Sequence, residues 1–394
     1  MKIEADRMHV FPEHFFAGLN VKIQDMQDQG QDVIRLDIGS PDLPPDAHII
    51  AALIKSAENP HSHGYQPSRG SKELRQAWAG MYQRLYQVDL DPESEILPLL
   101  GSKEGIFNLV MANVNPGDVV LIPDPGYLTY NAATRFAGGE PVFLPLTQDH
   151  DYLPDLQAIP GQILKRAKLL WLNYPNNPTA GIANIDFFSK VVAMAREHEL
   201  LVCHDAAYCQ VTYDIYQAPS ILQVPGAKDV AVEFNTLSKS HNMAGWRTGV
   251  AIGNADVIKS LHGLKTNFDS GQFLPIMEAA AAALNGDQDW LVERNQLYQQ
   301  RRDIVIESLH QSGLSARVPR ASLYVWCAVP NGWSARKFST MLLDQAQISL
   351  TPGDIFGAHG EGYVRISLTA PIARTEEAMQ RMSRVLQGSG EVME

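Results

Sequence analysis

Lys239 and Arg247 stand eight positions apart in LSKSHNMAGWRTG (237–249), among hydroxyls and small side chains. An amine in so tight a stretch suits a nucleophile that bonds a carbonyl carbon. A guanidinium beside it suits an anion on the same molecule. A surface loop with two ordinary basic residues has the same composition. Other polar residues fall where apolar runs stop. LLVC leads into His204, Asp205, Ala206, Ala207 and Tyr208, and KLLWL leads into NYPNNPT (173–179). DVAVEFN runs into Thr236, Leu237, Ser238 and Lys239. GSKEG (101–105) opens the helical pattern IFNLVMANV, which places Ser102 and Lys103 where unpaired N–H groups and the helix dipole attract an anion. Each element has a plainer reading: Asp205 as a helix cap, Asn177-Pro178 as a turn, GSKEG as a simple helix start. GSKEG also lacks the GxxxxGK[ST] spacing of a nucleotide phosphate loop.

The segments that must position these residues alternate between two periodicities. VVLIPD (119–124), PVFLPL (141–146), KLLWLNYP (168–175), LLVCHDAA (200–207), DVAVEFNTLS (229–238) and TGVAIGN (248–254) read as strands. Their near-continuous apolarity predicts burial on both faces. Leu74, Trp78, Met81 and Leu85 share one face of a helix over 71–87, and Phe188, Val191, Val192 and Ala195 share one over 184–198. Alternating strand and helix predicts an α/β fold with a largely parallel sheet, its ligand beyond the carboxyl ends of the strands. MEAAAAALNG (277–286) reads as a packed helix. After about residue 287 a long helical stretch leads into strand 322–329, helix 334–347, strand 362–369 and a final helix. This predicts a large domain over 46–286 and a smaller α+β domain built from 1–45 and 287–394.

Bulk properties narrow the partners. At 394 residues the chain exceeds a typical domain of roughly 100–200 residues, which makes two domains the default. A net charge of −12 argues against wrapping a nucleic acid. Cys203, Cys209 and Cys327 are too few and too scattered for a disulfide framework or a zinc site. They read as reduced, buried thiols, no metal is expected, and the expected compartment is cytoplasmic. MKIEADRMHVFPEHFF carries acids and a proline where a signal peptide needs an apolar core. No run of about 18 apolar residues occurs, so no membrane span is expected.

Taken as a set, one anion cradle, one carboxylate, one amide, one phenol and one lysine are what a pyridoxal phosphate pocket requires. In order and spacing the chain resembles the class I/II aminotransferases, within the fold-type I pyridoxal-phosphate enzymes. The resemblance runs from LDIGSPDLP (36–44) to GYVRISLT (362–369). It is nearest to the bacterial LL-diaminopimelate aminotransferase-like group, through GSKEGI, VNPGDVVLIPDPGY, FAGGEP, LPDL, LNYPNNPT, LSK..NM.GWR.G and NFDSGQF. It implies a mostly parallel seven-stranded sheet sandwiched by helices. Lys239 matches the lysine that forms a Schiff base with pyridoxal 5'-phosphate and later moves the substrate Cα proton. Asp205 matches the carboxylate under the pyridine nitrogen, Tyr208 and Asn177 the partners of the phenolic oxygen, and Tyr127 the ring-stacking aromatic. Ser102, Lys103, Thr236, Ser238 and Arg247 match the phosphate site. Arg365 matches the clamp for the substrate α-carboxylate, with Asn177 beside it, and Gly39 a loop glycine over the substrate. Taken alone, Tyr127 has the plainer reading of an ordinary core tyrosine, and Arg365, in a strand beside Ser367, that of a surface ion-pair partner. Tyr65 matches a tyrosine that reaches the phosphate of a neighbouring subunit, which implies a homodimer with shared active sites.

Departures from the pattern are few. Ala180 replaces the usual glycine after NPT, at a turn position that favours left-handed backbone. His241 reads as pocket wall and not as a base. Arg69, in QPSRG, is a cation where a substrate with a distal ammonium would favour a carboxylate. The expected reaction is ping-pong transfer of an amino group between an L-amino acid and a 2-oxo acid, with LL-diaminopimelate and 2-oxoglutarate as candidates. Aspartate or alanine transamination and a pyridoxal-phosphate-dependent β-lyase are the alternatives. A non-enzymatic regulator on the same fold would carry a long N-terminal DNA-binding segment, whereas here the fold's motifs begin by about residue 36.

Overall fold

The computed structural model describes residues 3–10 and 15–390. Part of the N-terminal stretch read above for targeting signals, at 1–2 and 11–14, lies outside the described residues. Seven strands form the main sheet: β1 (Ile96–Leu99), β2 (Val119–Asp124), β3 (Glu140–Pro145), β4 (Ala167–Asn173), β5 (Leu201–Asp205), β6 (Ala231–Thr236) and β7 (Gly249–Gly253). Their spatial order is β1-β7-β6-β5-β4-β2-β3. β7 runs opposite to the other six strands of this sheet.

Side-chain alternation divides the sheet residues between two cores. Leu121, Leu170, Leu172, Val202 and Ile252 join one buried cluster, with Trp78, Phe188 and Val191 from the covering helices. Val120, Leu169, Trp171, Cys203, Val232 and Phe234 join another on the opposite face, with Ile106 and Leu109. β3 differs from expectation. It lies at the sheet edge, mostly out of the core, with Phe143 exposed. Pro141 and Pro145 are compatible with that place, because an edge strand has one side whose N–H groups need no partner strand. All three cysteines are buried and free.

The helices begin and end on local signals. Ser71 caps Lys72–Tyr86 by accepting from the Leu74 N–H at 3.2 Å, and Asn184 caps Ile185–Glu197 by accepting from Phe187 at 2.8 Å. Leu74, Trp78 and Met81 are buried as the spacing predicts, but Leu85 turns outward as the helix ends at Gln87 in left-handed backbone. DVAVEFNTLS is not one strand. β6 stops at Thr236, whose hydroxyl accepts from the Ser238 N–H at 3.1 Å and starts the short helix Leu237–Ser240.

Beyond the seven-stranded sheet, strands Thr351–Pro352, Tyr363–Ser367 and Tyr324–Ala328 form an antiparallel sheet. Its buried face packs Tyr298 and Val305 of helix Asp289–Gln311 with Ile34, Leu36 and Phe338. Among the described residues no helix is long and apolar enough to cross a membrane. Phe188 is fully buried, on helix Ile185–Glu197, with its ring centroid 4.9 Å from that of His204. Phe188→Ala is expected to destabilise the fold by about 3–5 kcal/mol, read as a lowered urea midpoint.

Candidate active site

At one end of the main sheet the strands deliver polar residues in a row. Asn173 ends β4, Asp205 ends β5 and Thr236 ends β6, and Asn173 is registered against Asp205. Because β7 is antiparallel, its start lies at this same end, with Gly249 opposite Thr236 and Leu99. These ends border a cavity of about 500 Å³. Lys239, Asp205, Tyr208, Asn177, Tyr127, Thr236, Ser238, Arg247, Ser102, Lys103, Gly39 and Arg365 all line it. Tyr65 does not; it is almost fully exposed. His241 is buried away from the cavity, between Ser240 Oγ at 2.8 Å and Gln288 Oε1 at 3.3 Å, and burial pushes its pKa down to about 3.

The floor is built around Asp205. Its Oδ2 accepts from the Tyr130 hydroxyl at 2.7 Å, and Tyr130 is stacked on Trp171 with centroids 4.8 Å apart. Its Oδ1 is buried with no hydrogen-bond partner among the described residues. Burial raises the Asp205 pKa above the usual carboxylate value, opposed first by the Tyr130 hydrogen bond. That free oxygen fits a protonated ring nitrogen.

Lys239 is presented from the helix that Thr236 caps, and its Nζ donates to the Gly39 carbonyl. Burial lowers its pKa from the ordinary lysine value; Tyr324 opposes this, while Arg365 and Arg247 reinforce it. A side chain at position 39 would overlap the Tyr324 hydroxyl, which accounts for glycine there. Tyr324 also exchanges a hydrogen bond with Tyr208 at 2.9 Å.

Helix Ser102–Asn113 points its N-terminus into the cavity, and Gly101 leaves it without a side-chain cap. Arg247 lies over Gly101, its Nη1 donating to the Ala244 carbonyl at 2.8 Å, and Ser238 lines the same end. Unpaired helix N–H groups, a hydroxyl and a guanidinium suit a phosphate dianion. Thr236 contributes less directly, since its hydroxyl donates to the Thr248 carbonyl at 2.8 Å.

Arg365 is no surface cation. It is buried, and no carboxylate pairs with it among the described residues. Nη1 donates to Asn177 Oδ1 at 2.8 Å and Nη2 to the Asp37 carbonyl at 2.9 Å, while its guanidinium carbon lies 4.2 Å from the Tyr324 ring centroid. A buried guanidinium held by neutral oxygens and π-faces, with its Nε unpartnered among the described residues, suits an anionic ligand. Ala180 adopts φ 57°, so the turn keeps its left-handed geometry with alanine in the usual glycine position. Sequence reasoning passed over Tyr130, Asn173 and Tyr324. Tyr130 follows Tyr127 by three positions, a helical spacing that would have brought both to one face.

A lysine, a buried carboxylate, an uncapped helix start beside a guanidinium and a second, buried arginine surround one cavity, an arrangement that suits group transfer on small anionic molecules. The profile of the family "Aminotransferase class I and II" matches residues 31–382, and the chain belongs to that family. It is 49% identical over 383 residues to an LL-diaminopimelate aminotransferase of Moorella thermoacetica, covering 97% of this chain and 98% of that one. An LL-diaminopimelate aminotransferase of Syntrophobacter fumaroxidans is 46% identical over 97% of this chain and 99% of its own. Among solved structures, substrate-bound BacF from Bacillus subtilis superposes with a TM-score of 0.95 at 34% identity, covering 98% of both chains. A probable N-succinyldiaminopimelate aminotransferase from Thermus thermophilus gives 0.90 at 34% identity, covering 94% of this chain and 99% of that one.

The raised pKa of Asp205 carries a stability consequence. The stabilisation tied to its protonated form is complete below the unfolded carboxyl pKa and disappears as pH rises through the folded value. Asp205→Asn is therefore expected to raise the melting temperature of the ligand-free protein at pH 7, with the gain shrinking toward pH 4. A gain independent of pH would show that the carboxylate is not strained by burial.

Proposed function

We propose that this aminotransferase binds pyridoxal 5'-phosphate in the cavity at the sheet end and moves an amino group between LL-diaminopimelate and 2-oxoglutarate. The observation that carries the cofactor assignment is Asp205, buried beneath the cavity with one oxygen committed to Tyr130 and the other without a hydrogen-bond partner among the described residues. When bound, the cofactor supplies an aldehyde for an amino group and a ring that takes up the electron pair left at the substrate Cα. Asp205 would hold the ring nitrogen, Tyr208 and Asn177 the phenolic oxygen, and Tyr127 the ring face. Ser102, Lys103, Ser238, Thr236 and Arg247 would hold the phosphate. Arg365 would orient the α-carboxylate through its planar fork, with Asn177 fixing the guanidinium. Lys239 would serve as covalent anchor and then as the base that removes and returns the Cα proton, a task suited to an amine whose pKa burial has lowered.

The substrate assignment rests on eight curated relatives that are each named LL-diaminopimelate aminotransferase, at 44–49% identity over nearly their full length. Tyr65 is 95% exposed, so we assign it to the cavity of a second copy, in a homodimer whose active sites are shared. Residues 46–286 would form the large lobe, and 1–45 with 287–394 the small one. The acidic chain with buried free thiols suits a cytoplasmic enzyme.

Purified protein supplied with pyridoxal phosphate should turn yellow and yield a borohydride-trapped adduct at Lys239. Lys239→Ala should abolish both the colour band and amino transfer, and an unchanged spectrum would remove Lys239 from the chemistry. Arg365→Ala should keep the cofactor but raise KM for amino and oxo acids about 100-fold, the ~3 kcal/mol of two charge-assisted hydrogen bonds. The substrate is tested by a panel of amino acids scored for 2-oxoglutarate-dependent transfer. Faster turnover of aspartate or alanine than of LL-diaminopimelate would replace the substrate while leaving the reaction in place.

A further inference from the structure

The cavity wall carries a second arginine that the chemistry above does not use. In the extended segment from Ile34 to Asp37, alternation sends Ile34 and Leu36 into the core beneath the three-stranded sheet. Arg35 and Asp37 face the other way, and both line the cavity that holds Lys239 and Arg365. Arg35 Nε and Nη2 donate to Asp37 Oδ1 and Oδ2, each at 2.7 Å, and Nη2 also donates to Asn20 Oδ1 at 2.8 Å. Nη1 has no acceptor among the described residues. The two partners are unequal: the Asp37 side chain is 2% exposed, and that of Arg35 is 25% exposed. The carboxylate is therefore the support, and the guanidinium is the face shown to the cavity.

We propose that Arg35, held rigid by Asp37 and Asn20, receives a second carboxylate at the far end of the substrate. The proposal rests on the amino-transfer reading and names the class of substrate it selects: amino acids with an acidic group at each end. Asp37 links the two cations. Its carbonyl accepts from Arg365 Nη2 at 2.9 Å and from Thr351 Oγ1 at 3.3 Å, while its side chain grips Arg35. One residue thus fixes the separation of two carboxylate receptors along one wall. Their backbones are coupled through Asp37, whose Cα lies ~6.6 Å along an extended chain from that of Arg35. A guanidinium already locked in its bidentate fork loses little rotamer entropy when an anion arrives at Nη1. The simpler role would be a tie between helix Phe15–Asp28, which carries Asn20, and the strand. That role engages Nε and Nη2 and gives Nη1 nothing to do.

The test compares heptanedioate, with a carboxylate at each end, and heptanoate, with one. Calorimetric Kd values are measured on cofactor-loaded protein and on its Arg35→Gln and Arg35→Lys variants. Steady-state kinetics on LL-diaminopimelate, glutamate and alanine are measured in parallel. Arg35→Gln should reduce the preference for heptanedioate over heptanoate at least tenfold. It should also lower kcat/KM for the two-carboxylate substrates relative to alanine through KM, and Arg35→Lys should recover part of both. Equal losses on all ligands with a lowered melting temperature would leave Arg35 a structural tie and overturn the proposal. An unchanged ratio in Arg35→Gln that is instead lost in Lys103→Gln would move the receptor to Lys103. If wild-type protein transfers no amino group yet shows the Arg35-dependent preference for heptanedioate, the receptor stands and the reaction reading falls.

Discussion

The structure turns on a carboxylate that is denied a full set of partners. Asp205 is buried at the end of a central strand, tied through one oxygen to Tyr130 and without a hydrogen-bond partner at the other among the described residues. Burying an ionised group is costly unless its lone pairs are satisfied, so this position carries a cost that either a proton on the carboxyl or a cation at Oδ1 relieves. The surrounding elements exist to keep that geometry from relaxing. Trp171 stacks against the Tyr130 ring, and Phe234 packs against Trp171 at 5.7 Å between centroids. A tyrosine clamped between an indole and a carboxylate cannot swing aside to let the carboxylate turn.

The neighbouring residue shows the opposite treatment. His204 precedes Asp205 on the same strand and therefore faces the other side of the sheet. There both ring nitrogens are occupied, by Glu233 Oε2 at 2.8 Å and the Tyr174 carbonyl at 3.1 Å. Glu233 in turn accepts from Tyr82 at 2.6 Å, from Ser220 and from the Ile221 N–H. A satisfied polar network rigidifies, and an unsatisfied one binds. One strand carries both, a residue apart, and the rigid face anchors the incomplete one. Arg365 repeats the logic with reversed sign: it is buried, aligned by Asn177 and the Asp37 carbonyl, and has no anionic partner among the described residues.

Much of this was legible before any coordinates. Asp205, Asn177 and Lys239 announce themselves because each interrupts or follows an apolar run, and the end of a run is where a parallel sheet exposes side chains to a ligand. Ser102 and Lys103 were visible for a related reason, as the opening of a helix that its glycine leaves uncapped. What stayed hidden was positional. Tyr324 sits within SLYVWCAV and Tyr130 within a helix, and both look like core aromatics until the fold brings their hydroxyls to Tyr208 and Asp205. Leu85 failed for a different reason, since periodicity assigns a face but does not say where the neighbouring elements stop covering it. PVFLPL failed because composition reports burial and says nothing of a strand's rank in the sheet.

The chain also separates reaction from selection. The groups suited to bond making, Lys239, Asp205 and the phosphate cradle, arise from strand ends of the seven-stranded sheet and the helices that follow them. The groups suited to grading a substrate, Arg365, Arg35, Asp37 and Asn20, come from the antiparallel sheet and the segments near residues 20 and 35. Contacts between the sets are few and specific: Arg365 to Asn177, Tyr324 to Tyr208, and Lys239 to Gly39. Arg35 and Asn20 share no hydrogen bond with the Asp205–Tyr130–Trp171 stack, so a substitution at either leaves that stack intact. Asp37 is the exception, because it serves Arg35 with its side chain and Arg365 with its backbone. Changing its side chain removes the ion pair to Arg35, while the carbonyl, which every residue type supplies, continues to accept from Arg365.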